Sequence, residues 1–147
     1  VVAWSPNLTA ERAREAGVAM VEKQELFRTS DAISLHLVLS ARTRNIVDAD
    51  CIKAMKPTAY IVNTSRAGLV DLQALRDALE QGTIGGAGLD VFDHEPLAPD
   101  DPWRKVPRTL LTPHLGYATP ENFAAFYPNV VSAILAWRDG NPIRKLT

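Results

Sequence analysis

Short apolar runs alternate with segments of helical period along most of the chain. Val1–Ser5 has the character of a strand. Thr9 then offers an N-cap to a helix over Ala10–Ala16, which Gly17 stops. Val18–Val21 reads as a short second strand and Glu22–Arg28 as one or two helical turns. Ala32–Leu37 is an apolar run of the kind a central parallel strand carries. Asp48–Met55 predicts a short helix, ended by Lys56-Pro57 because the residue before a proline is pushed out of helical space. Thr58–Asn63 is β-branched and aromatic, as strands are. Asp71 caps the best-defined helix, in which Leu72, Leu75, Ala78 and Leu79 fall on one face, and Gly82 ends it. Ile84–Phe92 predicts another strand, whose Gly85, Gly86 and Gly88 permit close approach of the backbone to a neighbour or a ligand.

Beyond that strand, residues 93–108 carry Pro96, Pro99, Pro102 and Pro107 among acidic residues and predict a surface loop. Leu110–Thr112 is a brief strand. Thr119-Pro120-Glu121 then opens a last helix, with a cap and a proline at its first position, and Asp139-Gly140-Asn141-Pro142 closes it. Pro128 lies inside that helix, where it lacks an N–H and crowds the carbonyl of Ala124, so a kink or a break is expected there. Strands alternating with helices in this way predict an α/β fold built on a parallel sheet with flanking helices.

At 147 residues, 46% hydrophobic and 22% charged, the chain has the size and balance of one globular domain with a real core. A formal net charge of −1 gives no basic footprint for nucleic acid. No apolar run reaches the roughly 18 residues that a membrane span needs, so cytoplasmic residence is expected. The single cysteine, Cys51, excludes an internal disulfide and suits a buried apolar role in its helix. No grouping of ligand side chains points to a metal.

Three residues stand directly after, or shortly beyond, strand-like runs: Arg66, Glu95 and His114. In open parallel sheets ligands bind beyond the carboxyl ends of the strands, so such residues are the ones that converge. An arginine there presents a fork of donors suited to a carboxylate. A histidine is suited to pass a proton to or from a substrate oxygen near neutral pH. A glutamate that accepts a hydrogen bond from the other ring nitrogen fixes the tautomer and stabilises imidazolium. Taken one at a time, a surface ion pair for Arg66, loop charge for Glu95 and a structural role for His114 explain the residues better.

Their neighbours change that weighting. Asn63-Thr64-Ser65-Arg66, Gly88-Leu89-Asp90-Val91-Phe92 with Glu95-Pro96-Leu97, and Thr112-Pro113-His114-Leu115-Gly116 resemble the signature blocks of the D-isomer-specific 2-hydroxyacid dehydrogenases. Ser34-Leu35-His36-Leu37 and Met55-Lys56-Pro57 resemble the same family in the same order, so the similarity covers essentially the whole chain. The resemblance implies a Rossmann-like, partial NAD(P)-binding domain over residues 1–147, C-terminal helix included. It implies an oxidoreductase that moves hydride between NAD or NADP and a small 2-hydroxy or 2-oxo acid. Arg66 would clamp the substrate carboxylate, and His114 with Glu95 would form the acid/base pair. Ser5, Leu37, Thr43, Thr64, Asp90, His114 and Gly116 would line the cofactor, with Asp90 on the nicotinamide carboxamide. A homodimer is implied for the full-length protein. A truncated or non-catalytic, dinucleotide-binding regulatory protein of the same fold, similar to the dehydrogenase-like corepressors, is the alternative.

The chain departs from the family pattern in three places. The glycine-rich phosphate turn and the strand before it are not among these residues, and Gly85-Gly86-Ala87-Gly88 lies within a strand and opens no helix. The chain by itself is therefore expected to bind dinucleotide weakly and to be inactive, the substrate domain being absent as well. Ser5 stands where an NAD-preferring domain places an acid against the ribose, which makes NADP as credible as NAD, with Arg12 a possible phosphate partner. Val38 replaces a proline often found after the His-Leu pair, which is expected to loosen that loop.

Overall fold

The structure is a computed structural model that describes residues 1–145; the last two positions of the 1–147 span, Leu146 and Thr147, lie outside the described residues. It divides into two units, Val1–His114 and a second beginning at Leu115.

In the first unit the order is β1 (Val2–Ala3), α1 (Ala10–Glu15), β2 (Ala19–Met20), α2 (Lys23–Thr29), β3 (Ala32–Leu35), α3 (Ala49–Ala54), β4 (Tyr60–Asn63), α4 (Leu72–Gln81), β5 (Gly86–Leu89) and β6 (Thr109–Leu111). Every strand pairing is parallel, as the alternation of elements demands: β1 pairs with β2, and β3-β4-β5-β6 form a four-stranded sheet in chain order. Among the described residues no ladder joins the two sheets.

The helix starts follow from short polar caps. Thr9, Asp48 and Asp71 accept from the backbone N–H groups of Arg12, Cys51 and Ala74, each satisfying a donor that the first turn leaves open. Gly82 closes α4 with φ 69°, a left-handed conformation that any Cβ disfavours. The buried face of α4 is Leu75, Ala78 and Leu79, in line with the spacing. These residues join Phe27 of α2, Cys51 and Ile52 of α3, and Ile33, Leu35, Ile61 and Leu89 of the sheet in one apolar cluster. Each fully buried Leu or Ile there stabilises the fold by about 1.5–3 kcal/mol. Alternate residues point the other way, and Tyr60, Val62 and Leu110 remain exposed on the opposite face.

The strands end sooner than the apolar runs do. β1 stops at Ala3 rather than Ser5, β3 at Leu35 rather than Leu37, and β5 covers only Gly86–Leu89 of the run Ile84–Phe92. The cause is a common limit of register: Leu35, Asn63, Leu89 and Leu111 align as one row across the sheet, and no pairing extends past it. The loop 93–108 is also more ordered than its composition suggests. Pro102–Lys105 forms a 3-10 turn capped by Asp101, and it buries Trp103. A second 3-10 turn, Ala67–Leu69, follows Arg66.

The second unit is dominated by α5 (Pro120–Arg138), capped by Thr119 on the N–H of Asn122. The helix runs unbroken through Pro128. A proline removes one backbone bond, but the cap at one end and the Asp139 N–H on the Leu135 carbonyl at the other hold the turns on either side. None of its residues is buried within this unit, and Phe126, Tyr127, Ile134 and Trp137 are exposed. Among the described residues no helix is long and apolar enough to cross a membrane.

Candidate functional site

Because the aligned row Leu35, Asn63, Leu89, Leu111 ends the sheet, the segments that follow leave it at the same edge. They are His36-Leu37, Thr64-Ser65-Arg66, Asp90 onward, and Thr112-Pro113-His114. Hydrogen bonds then fix each segment to the next. The Asp90 N–H donates to the Asn63 carbonyl at 3.0 Å and the Thr112 N–H to the Leu89 carbonyl at 3.0 Å.

The structure brings Glu95 and His114 together. His114 Nδ1 and Glu95 Oε2 lie 2.6 Å apart, and Glu95 Oε1 accepts from the Phe92 N–H at 2.8 Å. The His114 hydrogen bond, followed by the Phe92 amide, holds the Glu95 carboxyl below its ordinary value. An ionised carboxylate only accepts, so Nδ1 carries the proton of this hydrogen bond. His114 itself sits at φ 55°, in the left-handed region that non-glycine residues rarely occupy. That conformation, with Pro113 before it, sets the direction of the ring. Such backbone outliers gather where surrounding structure over-determines them.

The pair lies on the wall of a pocket of about 520 Å³, together with Phe92, Leu97, Leu111 and Thr112. Arg104 also lines it and is committed to structure, since Nε donates to the Ala98 carbonyl and Nη2 to the Leu97 carbonyl, both at 2.7 Å. Sequence reasoning passed over Arg104; nothing in the spacing of a proline-rich loop shows which carbonyls it bridges.

Arg66 is exposed after β4, with its Nη1 on the Ser65 carbonyl at 2.7 Å, and it lines neither of the pockets described here. Its backbone, however, is firmly placed. The Asn63 side chain, fully buried, donates to the Arg66 carbonyl at 2.9 Å and accepts from the Ser65 N–H at 3.0 Å. The Ser65 hydroxyl donates to the Leu37 carbonyl at 2.8 Å, tying the loop after β4 to the loop after β3. Thr64 is exposed in the same loop.

Asp90 is buried, and Thr112 Oγ1 donates to its Oδ1 at 2.5 Å. Neither Asn63 nor Thr112 was singled out from sequence, although both stand inside the motif blocks; their roles depend on cross-strand register, which no local pattern encodes.

A second pocket, about 310 Å³, lies between the segments after β1 and β3. Ser5, Pro6 and Asn7 form one wall; His36, Leu37, Arg42 and Thr43 contribute to the other. Thr43 is buried, donates to the Val38 carbonyl at 2.7 Å and accepts from the Ser40 N–H at 2.8 Å. That hydroxyl fastens the very turn that Val38, in place of a proline, was expected to loosen. Arg42 was not anticipated, whereas Arg12, the expected phosphate partner, is exposed on α1 and does not line the pocket. Gly116 belongs to the second unit, within the turn that the Ala118 N–H closes on the Leu115 carbonyl at 2.8 Å. Among the described residues no three His, Cys, Asp or Glu side chains are grouped as a metal site requires.

Comparison with known proteins agrees with this arrangement. The family model for the D-isomer specific 2-hydroxyacid dehydrogenase, NAD binding domain, matches residues 1–116. The chain is 42% identical over 121 residues to the D-3-phosphoglycerate dehydrogenase of Synechocystis sp., covering 82% of this chain and 22% of that protein. It is 40% identical over 127 residues to the glyoxylate reductase of Korarchaeum cryptofilum, covering 86% of this chain and 38% of that protein. Among solved structures, an acyclic imino acid reductase in complex with NADPH and D-Arg superposes with a TM-score of 0.78 at 29% identity, covering 99% of this chain and 45% of that one. The chain thus spans well under half the length of these relatives. With its parallel sheet, its motif blocks and a family match that runs from Val1 to Gly116, the chain belongs to the D-isomer-specific 2-hydroxyacid dehydrogenases and carries their NAD-binding domain.

Proposed function

We propose that the chain is the cofactor-domain wall of an oxidoreductase that interconverts a small 2-hydroxy acid and its 2-oxo acid with NAD or NADP. The observation that carries this reading is the 2.6 Å contact between Glu95 and His114 on the wall of the larger pocket. The residues present suit a nicotinamide dinucleotide. A pocket of neutral and cationic side chains follows β1 and β3, and a buried carboxylate, Asp90, follows β5 with an acceptor for the carboxamide N–H₂. A bound dinucleotide supplies or takes the hydride at its nicotinamide ring.

The chain's own residues do the rest. Glu95, held ionised, keeps the Nδ1 proton in place, so His114 exchanges its proton at Nε2. During reduction of a carbonyl that proton goes to the new hydroxyl; during oxidation Nε2 removes it. Arg66 serves as the carboxylate clamp once its guanidinium leaves the Ser65 carbonyl, a single neutral acceptor that a charged, two-oxygen partner outcompetes. Phe92, Leu97 and Leu111 give the pocket an apolar lining beside the pair.

The test is His114→Ala in the polypeptide that carries this chain, assayed for reduction of glyoxylate and hydroxypyruvate with NADH and NADPH supplied in turn. Loss of an acid/base group is expected to lower the rate by about 10²–10⁴. A rate within about threefold of the parent would remove His114 from that role.

A further inference from the structure

We propose that the smaller pocket selects 2′-phosphorylated adenosine, so that the chain prefers NADP to NAD, with Arg42 the cation that decides it. This rests on the cofactor-domain reading and goes beyond it, because that reading leaves the two dinucleotides equal.

A site for unphosphorylated ribose uses a carboxylate to accept from the 2′-hydroxyl, and that charge repels a phosphate. Ser5 occupies the position after β1 and lines the pocket, and no Asp or Glu is among the described residues that line it. What the pocket offers instead is donors. Ser5 contributes a hydroxyl and Asn7 an amide, and His36 stands across from them with its Nε2 at 2.8 Å from the Ser34 hydroxyl. Arg42 adds the permanent positive charge.

The state of that guanidinium is informative. Arg66 is occupied by the Ser65 carbonyl and Arg104 by two loop carbonyls. Arg42 is exposed, and among the described residues its side chain is engaged in no hydrogen bond or ion pair. An unengaged guanidinium beside neutral donors, with no competing carboxylate in the lining, is a half-built anion site. A dianionic phosphate completes it, whereas a hydroxyl gains nothing from the charge. The volume of about 310 Å³ falls at the lower end of the range of small-molecule pockets.

The experiment uses the 147-residue chain as it stands, labelled with ¹⁵N and titrated at low salt with adenosine 2′,5′-bisphosphate or with adenosine 5′-diphosphate. The two probes carry the same number of phosphates and differ in where the second one sits, and Arg42→Ala separates the 2′-contact from the difference in total charge. The bisphosphate is expected to bind about tenfold more tightly in the millimolar range, reported by the amides of Ser5, Asn7 and Thr43. Arg42→Ala, an exposed position at which unfolding is not expected, should bring the two affinities to within about twofold of each other. Ser5→Asp should do the same by repulsion. Equal affinities in the parent chain, or a preference that survives Arg42→Ala, would overturn the proposal while leaving the cofactor-domain reading intact. Amides that respond to neither probe would also overturn the proposal.

Discussion

Replacing Gly85 with alanine tests how the sheet edge is held in place. A Cβ built on Gly85 meets the Thr58 carbonyl oxygen at 2.6 Å, the Thr58 carbonyl carbon at 2.8 Å and the Ala59 oxygen at 2.9 Å. Ordinary contact between heavy atoms lies near about 3.5 Å, so the chain before β5 and the chain before β4 must part by the better part of an ångström. All three obstacles are backbone, so no side chain can swing aside. The Gly85 N–H also donates to the Ala59 carbonyl at 2.9 Å, and that bond is strained by the same displacement. Overpacking of this kind costs about 1–3 kcal/mol, which for a chain of this size lowers Tm by roughly 3–10 °C. Gly88→Ala is the matched control. Its Cβ would meet only the two Val62 methyl groups at 3.7 Å, an ordinary contact. The added methyl also restricts the unfolded chain, so the change is expected to lie within about 1 kcal/mol of neutral, on the stabilising side. Urea unfolding followed by the fluorescence of buried Trp103 reads both variants. If Gly85→Ala unfolds at the same urea concentration as Gly88→Ala, close backbone approach is not what that glycine provides.

The N-cap Asp48 predicts an acid-sensitive helix. The Cys51 backbone N–H, with further help from Lys23, holds its carboxyl at about 2, so the ionised form stabilises the fold fully above about pH 4 and that contribution disappears as pH falls toward 2. With its side chain 48% exposed, solvent screening limits the effect to on the order of 1 kcal/mol; Asp48→Asn should flatten the acid limb of the stability profile, and an unchanged limb would refute the assignment. At the sheet edge, Thr112→Val removes the donor to buried Asp90 and is expected to cost about 1–3 kcal/mol in urea unfolding, with Thr112→Ser recovering most of it. Equal stability of the valine and serine variants would show that the hydroxyl is not what Asp90 relies on.

Much of the fold was legible because its signals are local. Thr9, Asp48 and Asp71 each bond a backbone N–H three residues on, and Gly82 adopts the left-handed turn within its own helix end. The spacing of Leu75, Ala78 and Leu79 places them on one face whatever lies opposite. Strand ends were less legible, since Leu37 and Asp90 continue apolar runs yet fall beyond the last aligned row of the sheet. The turn that buries Trp103 was hidden among prolines, and α5 continues where Pro128 allowed a break. At the candidate site, motif blocks pointed to Glu95 and His114, and the two side chains meet. What the motifs could not supply was the second layer. Asn63 reaches Ser65 and Arg66 only because β4 ends where it does, and Thr112 reaches Asp90 across 22 positions of sequence. Arg42 gave no signal because an arginine in a turn is ordinarily solvated surface; its meaning comes from the wall it faces.

The smaller pocket has one wall after β1 and the other after β3. A molecule seated there touches both segments at once, and by thermodynamic reciprocity whatever else holds those segments at that spacing tightens its grip on the molecule to the same degree. Occupancy should thus register in the amide exchange of β1 as well as in the residues that touch the ligand.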